Sequence, residues 1–313
     1  MKAIRIHRFG GPETLACETL PVPAPGQDEI VVKVMAAGVN PVDFKIREGQ
    51  FPLVKESQLP LVVGRDASGV VEACGPGAGA LKRGDEVYAL VGFDRGTYAE
   101  YIIVKPGEAA IKPRTLDHVE AASVPLAGLT AWQGLFTHGR LQAGQRVLIH
   151  GGAGGVGHLA VQFARATGAH VITTVSTEDV EFARSLGADQ VIDYRQEQFE
   201  ETVGKVDLVF DLADGHVQDR SWTVLKPGSA FVSTLTEPSQ ERARQSGVRA
   251  LRYTTQPNGG QLSEIARLID AGQVRPHVEQ VYPLTQAAAA EDHLENRHLQ
   301  GKLVVTTQMQ API

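Results

Sequence analysis

The feature that most constrains this chain is a glycine-rich turn inside residues 145–169, between a short apolar run and an amphipathic stretch. The run at residues 146–150 predicts a buried strand, and an apolar pattern at helical spacing follows the turn. Gly152, Gly154 and Gly157 fit the pattern G-x-G-x-x-G. In that pattern the first glycine permits a tight turn, the second lets the backbone approach a diphosphate, and the third lets the helix pack closely on the strand. Because a helix N-terminus favours anions, the segment predicts a dinucleotide site.

The chain after Asp117 alternates between helix and strand patterns. Residues 118–136 indicate a helix before the glycine-rich turn. Strands are predicted at residues 170–175, 190–193, 206–211, 229–234 and 248–253, and helices at 178–186, 217–225 and 261–270. Such alternation predicts parallel strands with helices on both faces, which is a doubly wound α/β sheet of the Rossmann type.

The first part of the chain has a different character, with short apolar runs separated by turn residues such as PAPGQD, GPGAG and KRGD. The runs cover residues 29–36, 61–63, 69–73, 85–90 and 98–104. Short strands at this spacing predict a compact antiparallel β-barrel. A helix at 285–295 and a strand at 302–306 are expected to complete it. The predicted domains are therefore 1–118 completed by 272–313, and 119–271 for the dinucleotide.

Composition argues against several classes of partner. A formal net charge of −6 opposes binding to nucleic acid or to an anionic membrane, and we expect neither partner. The opening residues lack the apolar run of a leader, and no later segment approaches a membrane span, so a cytoplasmic protein is expected. Cys17 and Cys74 are too few for a disulfide framework or a structural zinc site.

Eight motifs resemble the medium-chain dehydrogenase/reductase superfamily, and they extend over nearly the whole chain. They are GVNPVDFK (38–45), PLVVGRDASGVV (60–71), GDEVYAL (84–90), GTYAEY (96–101), ASVPLAGLTAW (122–132), HGGAGGVG (150–157), LGADQVIDY (186–194) and GKLVV (301–305). In combination they look like its zinc-independent quinone oxidoreductase and enone reductase branch. The resemblance implies a GroES-like catalytic barrel, NADPH as the cofactor, and a homodimer that pairs Rossmann edge strands, for which residues 248–253 are the candidate edge.

Zinc-dependent members of the superfamily place a cysteine where this chain has Asn40 or Pro41, and a His-Glu pair where it has Arg65 and Asp66. Both ligand positions are changed, so we expect no metal. Without a Lewis acid, alcohol oxidation is poorly supported. Hydride addition to a quinone or an α,β-unsaturated carbonyl is easier to explain, because hydrogen bonds or solvent can stabilise the developing oxyanion.

The choice between NADPH and NADH depends on the ends of the second and third strands of the sheet. NAD-binding folds carry an acid after the second strand, where this chain has Ser176. The resemblance places a phosphate-contacting tyrosine at Tyr194, which Arg195 follows. Glu178 and Asp179 stand where relatives often carry a lysine, so NADPH is favoured over NADH but not exclusively.

The resemblance assigns the remaining candidate residues. Asn40 resembles the position that faces the nicotinamide and substrate, although a turn-forming Asn is an equally good interpretation. Lys45 could donate a hydrogen bond to substrate or to the cofactor ribose, or could lie at the surface. Thr130 resembles a position that touches the nicotinamide amide. The expected cofactor-binding residues are Asn40, Thr130, Gly152, Gly154, Gly155, Val156, Gly157, Ser176, Tyr194, Arg195, Leu212 and Leu235.

Other polar residues have plainer interpretations. We expect Asp43 and Asp66 to accept hydrogen bonds, Tyr98 to pack in the barrel, and His293 to lie on an exposed helix. Two other functions stay open because no acid–base residue is obvious: a non-catalytic NADPH-binding redox sensor, and an enoyl-thioester or alkenal reductase.

Overall fold

The computed structural model describes residues 1–213 and 215–307. The chain divides into two compact units, of which the first comprises Met1–Leu126, Pro257–Ala271 and the residues from Pro276 onward. The second unit comprises Ala127–Gln256 and Gly272–Arg275. Within the described residues, no helix has the length and apolar character needed to cross a bilayer.

Two β-sheets form the first unit. Its strands are β1 (Lys2–Ile6), β2 (Ala16–Thr19), β3 (Ile30–Val39), β4 (Leu61–Val62), β5 (Asp66–Cys74), β6 (Glu86–Leu90), β7 (Tyr101–Val104), β8 (Ala109–Ile111), β15 (Val278–Pro283) and β16 (Lys302–Thr306). The larger sheet runs β15-β16-β3-β5-β6-β8, with β7 also pairing with β3, and the smaller sheet runs β2-β1-β4. All the pairings are antiparallel except that of β15 with β16. The predicted antiparallel framework and the return of the C-terminal strand are both observed.

Strand β3 lies at the centre of this unit because it pairs with β16, β5 and β7. Eight of its ten residues are buried, which explains its nearly continuous apolar sequence. One core cluster joins Ile6, Val39 and Leu303 to the helix near the C-terminus, and a second contains Val32, Val71 and Val104.

Four helices belong to the first unit: α1 (Pro41–Arg47), α2 (His118–Ala122), α9 (Gly259–Asp270) and α10 (Ala287–Asn296). The unit boundaries differ from the expected ones at 118 and 271. Helix α9 packs on β8, and the Tyr88 hydroxyl donates to the Leu262 carbonyl at 2.5 Å, so this helix belongs with the barrel and not with the Rossmann sheet. The expected exposure of His293 on α10 was wrong, since this side chain is buried and its Nδ1 lies 2.7 Å from the Tyr282 hydroxyl.

A six-stranded parallel sheet in the order β11-β10-β9-β12-β13-β14 forms the second unit. The strands are β9 (Arg146–His150), β10 (His170–Val175), β11 (Gln190–Asp193), β12 (Val206–Asp211), β13 (Leu225–Ser233) and β14 (Arg249–Arg252). The helices are α3 (Pro125–Trp132), which begins at the unit boundary, α4 (Gly157–Ala166), α5 (Val180–Ser185), α6 (Phe199–Thr202), α7 (His216–Ser221) and α8 (Gln240–Ser246). The strand order reverses at β9, whose neighbours are β10 and β12. This is the predicted doubly wound topology, and its switch point lies at the glycine-rich turn.

Several predicted elements have different bounds in the structure. Residues 118–136 do not form one helix, because α2 ends at Ala122 and α3 starts at Pro125. Proline disfavours helical geometry in the residue before it and has no N–H to donate, and the Ser123 hydroxyl caps the break by donating to the Glu120 carbonyl at 2.6 Å. Strand β13 begins at Leu225, the residue at which the preceding helix was expected to end, and four residues before the expected start of the strand at 229.

Candidate functional site

The glycine-rich turn connects β9 to α4 by close backbone packing. Gly151 has φ of +78°, and the N–H groups of Gly151 and Gly152 both donate to the Thr174 carbonyl, at 3.0 and 3.2 Å. A Cβ on Gly152 would lie 2.0 Å from Thr173 Oγ1, and a Cβ on Gly157 would lie 2.0 Å from the Gly151 carbonyl oxygen. Neither position therefore has room for a side chain. Gly154 is different, because its Cβ would meet only the Gly151 carbonyl oxygen, at 3.6 Å.

Among the described residues, four of the five backbone amides from Ala153 to Gly157 are unpaired, and the exception is Gly154, whose N–H donates to the Gly151 carbonyl at 3.2 Å. The N–H groups of Ala153, Gly155, Val156 and Gly157 donate to no acceptor among the described residues. They lie at the N-terminus of α4, a helix of ten residues, where the helix dipole adds to their partial positive charge. The residues present therefore fit the diphosphate of a dinucleotide, which can accept these hydrogen bonds.

The carboxyl ends of β10 and β11 lie side by side, because the Tyr194 N–H donates to the Val175 carbonyl at 3.1 Å. Ser176 is buried and its hydroxyl donates to Asp179 at 2.6 Å. Tyr194 is 57% exposed. Arg195 forms a two-bond ion pair with Glu178, at 2.7 and 3.1 Å. Hydrogen bonding to Glu178 raises the pKa of Arg195, so this guanidinium is charged.

The other strands of the sheet end at the same edge. Leu212 and Leu235 follow β12 and β13 and are each half-buried. Asp211, which is fully buried, accepts a hydrogen bond from the Ser233 hydroxyl at 3.0 Å. His150 is buried between the Thr174 and Ser221 hydroxyls, and burial lowers its pKa to about 3. This histidine is therefore neutral and structural.

Thr130 lies in α3 and is also held within the second unit. Its hydroxyl oxygen lies 2.7 Å from that of Thr255, and its carbonyl accepts a hydrogen bond from the Tyr253 hydroxyl. The side chain is 6% exposed. These bonds fix α3 against the segment that follows β14. Sequence reasoning did not identify Thr255, because no motif links two threonines that are 125 residues apart.

In the first unit, Asn40 lies at the start of α1 inside a buried polar cluster. Its side-chain amide donates to Asp66 at 2.9 Å and to the Gly38 carbonyl at 3.4 Å, and its Oδ1 accepts from the Lys302 ammonium. Its backbone N–H donates to Asp43 at 2.8 Å. Only 3% of Asn40 is exposed. These hydrogen bonds anchor Asn40 at the start of α1.

Burial changes the charge properties of this cluster. It raises the pKa of Asp43 to about 8, with a further contribution from Glu291, and it raises the pKa of Asp66 against the opposing effect of Lys302. It lowers the pKa of Lys302, which the carboxylates of Asp66 and Asp43 oppose. Tyr98, also fully buried, donates to Asp43 at 3.2 Å. The expectation that Asp43 and Asp66 accept hydrogen bonds is met, and Lys302 is the member of the cluster that sequence reasoning missed.

Two residues further along α1 have contrasting surroundings. Lys45 is half-buried, and its ammonium has no hydrogen-bond or ion-pair partner within residues 1–213 and 215–307. Arg47 is fully buried and pairs with Glu291 of α10 at 2.7 Å, while also donating to the Gly10 carbonyl at 2.8 Å. Helix α1 is therefore fixed by Arg47 and Asn40 and carries one unpaired cation. In the part of the chain that the structure describes, no three His, Cys, Asp or Glu side chains are grouped to hold a metal ion.

Comparison with known proteins agrees with this fold. Residues 26–114 match the family described as alcohol dehydrogenase GroES-like domain, and residues 186–305 match one described as zinc-binding dehydrogenase. A chloroplastic NADPH-dependent alkenal/one oxidoreductase of Arabidopsis thaliana is 37% identical, over 97% of this chain and 79% of that protein. The GroES-like domain and the parallel sheet confirm the predicted fold class.

Two solved structures also match nearly the whole chain. The quinone oxidoreductase of Coxiella burnetii has a TM-score of 0.91 and 37% identity, covering 98% of this chain and 99% of that one. The Escherichia coli quinone oxidoreductase, solved with NADPH, has a TM-score of 0.88 and 31% identity, covering 98% of this chain and all of that one. Together with the replacement of both zinc-ligand positions by Asn40 and Arg65-Asp66, these matches identify the branch. The chain belongs to the zinc-independent quinone oxidoreductase and enone reductase branch of the medium-chain dehydrogenase/reductase superfamily.

Proposed function

We propose that this protein is an NADPH-dependent reductase that transfers a hydride to quinones or to α,β-unsaturated carbonyl compounds. The observation that carries this proposal is the row of unpaired amides at Ala153, Gly155, Val156 and Gly157 at the N-terminus of α4. Relatives named quinone oxidoreductase and NADPH-dependent alkenal/one oxidoreductase support the reaction class.

The second unit binds and orients the cofactor in this proposal. The four amides hold the diphosphate, and Ser176, Tyr194 and Arg195 lie where the adenosine ribose and its 2′-phosphate would be bound. Leu212 and Leu235 lie along the carboxyl edge that the cofactor crosses, and Thr130 is the proposed contact for the nicotinamide amide.

The bound dinucleotide would supply the hydride, and the chain's own residues would manage the charge that develops on the substrate. When hydride adds to the electrophilic carbon, an electron pair moves onto the carbonyl oxygen, which then takes a proton from water. We assign Lys45 as the hydrogen-bond donor to this oxygen, because its ammonium has no partner within the described residues. Asn40 is a positioning residue that fixes the start of the helix bearing Lys45.

An alkenal reductase is the second candidate within this reaction class, favoured by the relative from Arabidopsis thaliana whose name states that activity. Homodimer formation through β14 is also proposed. This strand lies at the edge of the parallel sheet and pairs on one side with β13, so its other side offers backbone groups for a partner strand. The cytoplasmic location remains a prediction from the sequence.

The test is the oxidation of NADPH, followed by absorbance with a panel of quinones, enones and alkenals. We expect turnover with at least one class, and a roughly 100- to 1,000-fold lower kcat/KM for Lys45→Met, the effect of losing one donor to an oxyanion. Lys33→Met is the matched control, because Lys33 is exposed on β3. Tight NADPH binding without turnover of any electrophile would contradict the proposal and favour a redox sensor.

A further inference from the structure

We propose that Glu178 weakens the preference for NADPH by competing with the 2′-phosphate for Arg195, so that NADPH binds only modestly more tightly than NADH. This inference rests on the proposed function and concerns the adenosine end of the same site. The device consists of one acid and one cation, supplied by the ends of neighbouring strands.

The geometry brings the two groups together at one place. Strands β10 and β11 are parallel, and Val175 pairs with Asp193, so the residues that follow them lie at the same edge of the sheet. Arg195 then donates to both carboxylate oxygens of Glu178, at 2.7 and 3.1 Å. The guanidinium is 52% exposed and the carboxylate 42% exposed, so a ligand in solution can reach both groups.

The chemistry of the two groups is opposed. In dinucleotide-binding folds, an acid after the second strand accepts hydrogen bonds from the ribose of NADH, whereas a nearby arginine accommodates the 2′-phosphate of NADPH. Ser176 occupies the position of that acid in this chain, and Glu178 lies two residues beyond it. This chain therefore carries both an acid and an arginine here, and they neutralise each other. An adenosine ribose with a free 2′-hydroxyl can donate a hydrogen bond to Glu178 while the ion pair with Arg195 stays intact. A 2′-phosphate can bind Arg195 only if the guanidinium exchanges Glu178 for the phosphate.

The surrounding charge reinforces this competition. Segments 176–179 and 193–195 together carry Glu178, Asp179 and Asp193 against Arg195, a formal net charge of −2. A phosphate monoester brings about two further negative charges at neutral pH. Ser176, the other expected phosphate donor, is turned toward Asp179, to which its hydroxyl donates at 2.6 Å. Exposed ion pairs are weak, so the phosphate can displace Glu178 and the effect is a reduced preference, not exclusion.

Calorimetry on the full chain tests the proposal with two fragments that report on this end of the site, 2′,5′-ADP and 5′-AMP. In Glu178→Gln we expect the Kd of 2′,5′-ADP to fall about tenfold, equal to about 1.4 kcal/mol, while the Kd of 5′-AMP stays within about twofold. The control is Glu181→Gln, which removes the same charge from an exposed glutamate that pairs with Arg184. This control should leave both affinities within about twofold. Arg195→Gln should weaken 2′,5′-ADP to the level of 5′-AMP.

The outcomes separate the two proposals. If the wild-type chain binds neither NADPH nor NADH in the calorimeter, the proposed function and this inference both fail. If NADPH binds but Glu178→Gln leaves the affinity for 2′,5′-ADP unchanged or weaker, the inference alone is overturned. An equal gain in Glu178→Gln and Glu181→Gln would also overturn it, because the effect would then be general charge and not competition for Arg195.

Discussion

Replacing Gly157 with alanine would test the link between tight packing and cofactor binding at the glycine-rich turn. The new Cβ would lie 2.0 Å from the Gly151 carbonyl oxygen, and 2.8 Å from both the Gly151 carbonyl carbon and the Gly152 Cα. All three atoms are backbone, so α4 and the turn must separate by roughly 1 Å to relieve the contact. Overpacking of this kind lowers the free energy of unfolding by about 1–3 kcal/mol, and the higher helix propensity of alanine offsets up to about 1 kcal/mol of that loss.

We therefore expect Gly157→Ala to lower the free energy of unfolding by about 1–2 kcal/mol in urea titrations, and to weaken NADPH binding at least about 100-fold because the amides at 155–157 move. Gly154→Ala is the matched variant, since its Cβ would lie 3.6 Å from the nearest atom. Its free energy of unfolding should stay within about 0.5 kcal/mol of wild type, while its methyl group weakens NADPH binding about tenfold by occupying space that the diphosphate needs. Equal stability and equal affinity in Gly157→Ala would refute the reasoning.

Two further predictions concern the buried charges of the first unit. Burial raises the pKa of Asp43 to about 8 in the folded chain, whereas the unfolded chain loses this proton near pH 4. Because the folded state binds one more proton between these values, the free energy of unfolding should fall as the pH rises from about 4 to 8. Asp43→Asn keeps the acceptor for Tyr98 but cannot ionise. Urea titrations across this range should therefore show a free energy of unfolding that depends less on pH than in wild type. An equal pH dependence in the two proteins would contradict the raised pKa of Asp43. Arg47→Met leaves Glu291 buried without its ion-pair partner and should cost about 3–5 kcal/mol in the free energy of unfolding. The double variant Arg47→Met/Glu291→Leu should recover most of that loss. If the two single changes in the free energy of unfolding simply add in the double variant, the two side chains do not interact directly.

The second unit could be predicted from sequence because its signals are local. The strands at His170–Val175, Gln190–Asp193 and Val206–Asp211 were predicted with the bounds that the structure has. Each is a short apolar run between turn residues, and the glycine spacing identifies the turn between β9 and α4. Parallel strands buried on both faces read as nearly continuous apolar runs, so the local pattern was enough to predict these strands.

The polar cluster of the first unit could not be predicted in the same way. Asn40 receives a hydrogen bond from Lys302, which is 262 residues away, and Arg47 pairs with Glu291, which is 244 residues away. No local sequence pattern predicts contacts between residues so far apart in the chain. A lysine inside the apolar motif GKLVV is the one available signal, because a cation on a buried strand requires buried acceptors. Helix α9 was assigned to the wrong unit for a related reason, since an amphipathic pattern shows that a helix packs but not on which sheet.

The pairing of β16 with β3 has a consequence for how the chain is made. Strand β3 emerges early from the ribosome, but the strand that covers it beside Gly38 and Val39 is synthesised some 260 residues later. Every strand of the second unit lies between Arg146 and Arg252. The parallel sheet can therefore form while β3 of the first unit still lacks its partner β16. A nascent chain at this stage therefore has a complete parallel sheet and an incomplete barrel. The unpaired backbone groups of β3 can then hydrogen-bond to other chains and cause aggregation. Chaperone demand should accordingly be concentrated in the interval between synthesis of Arg252 and of Thr306.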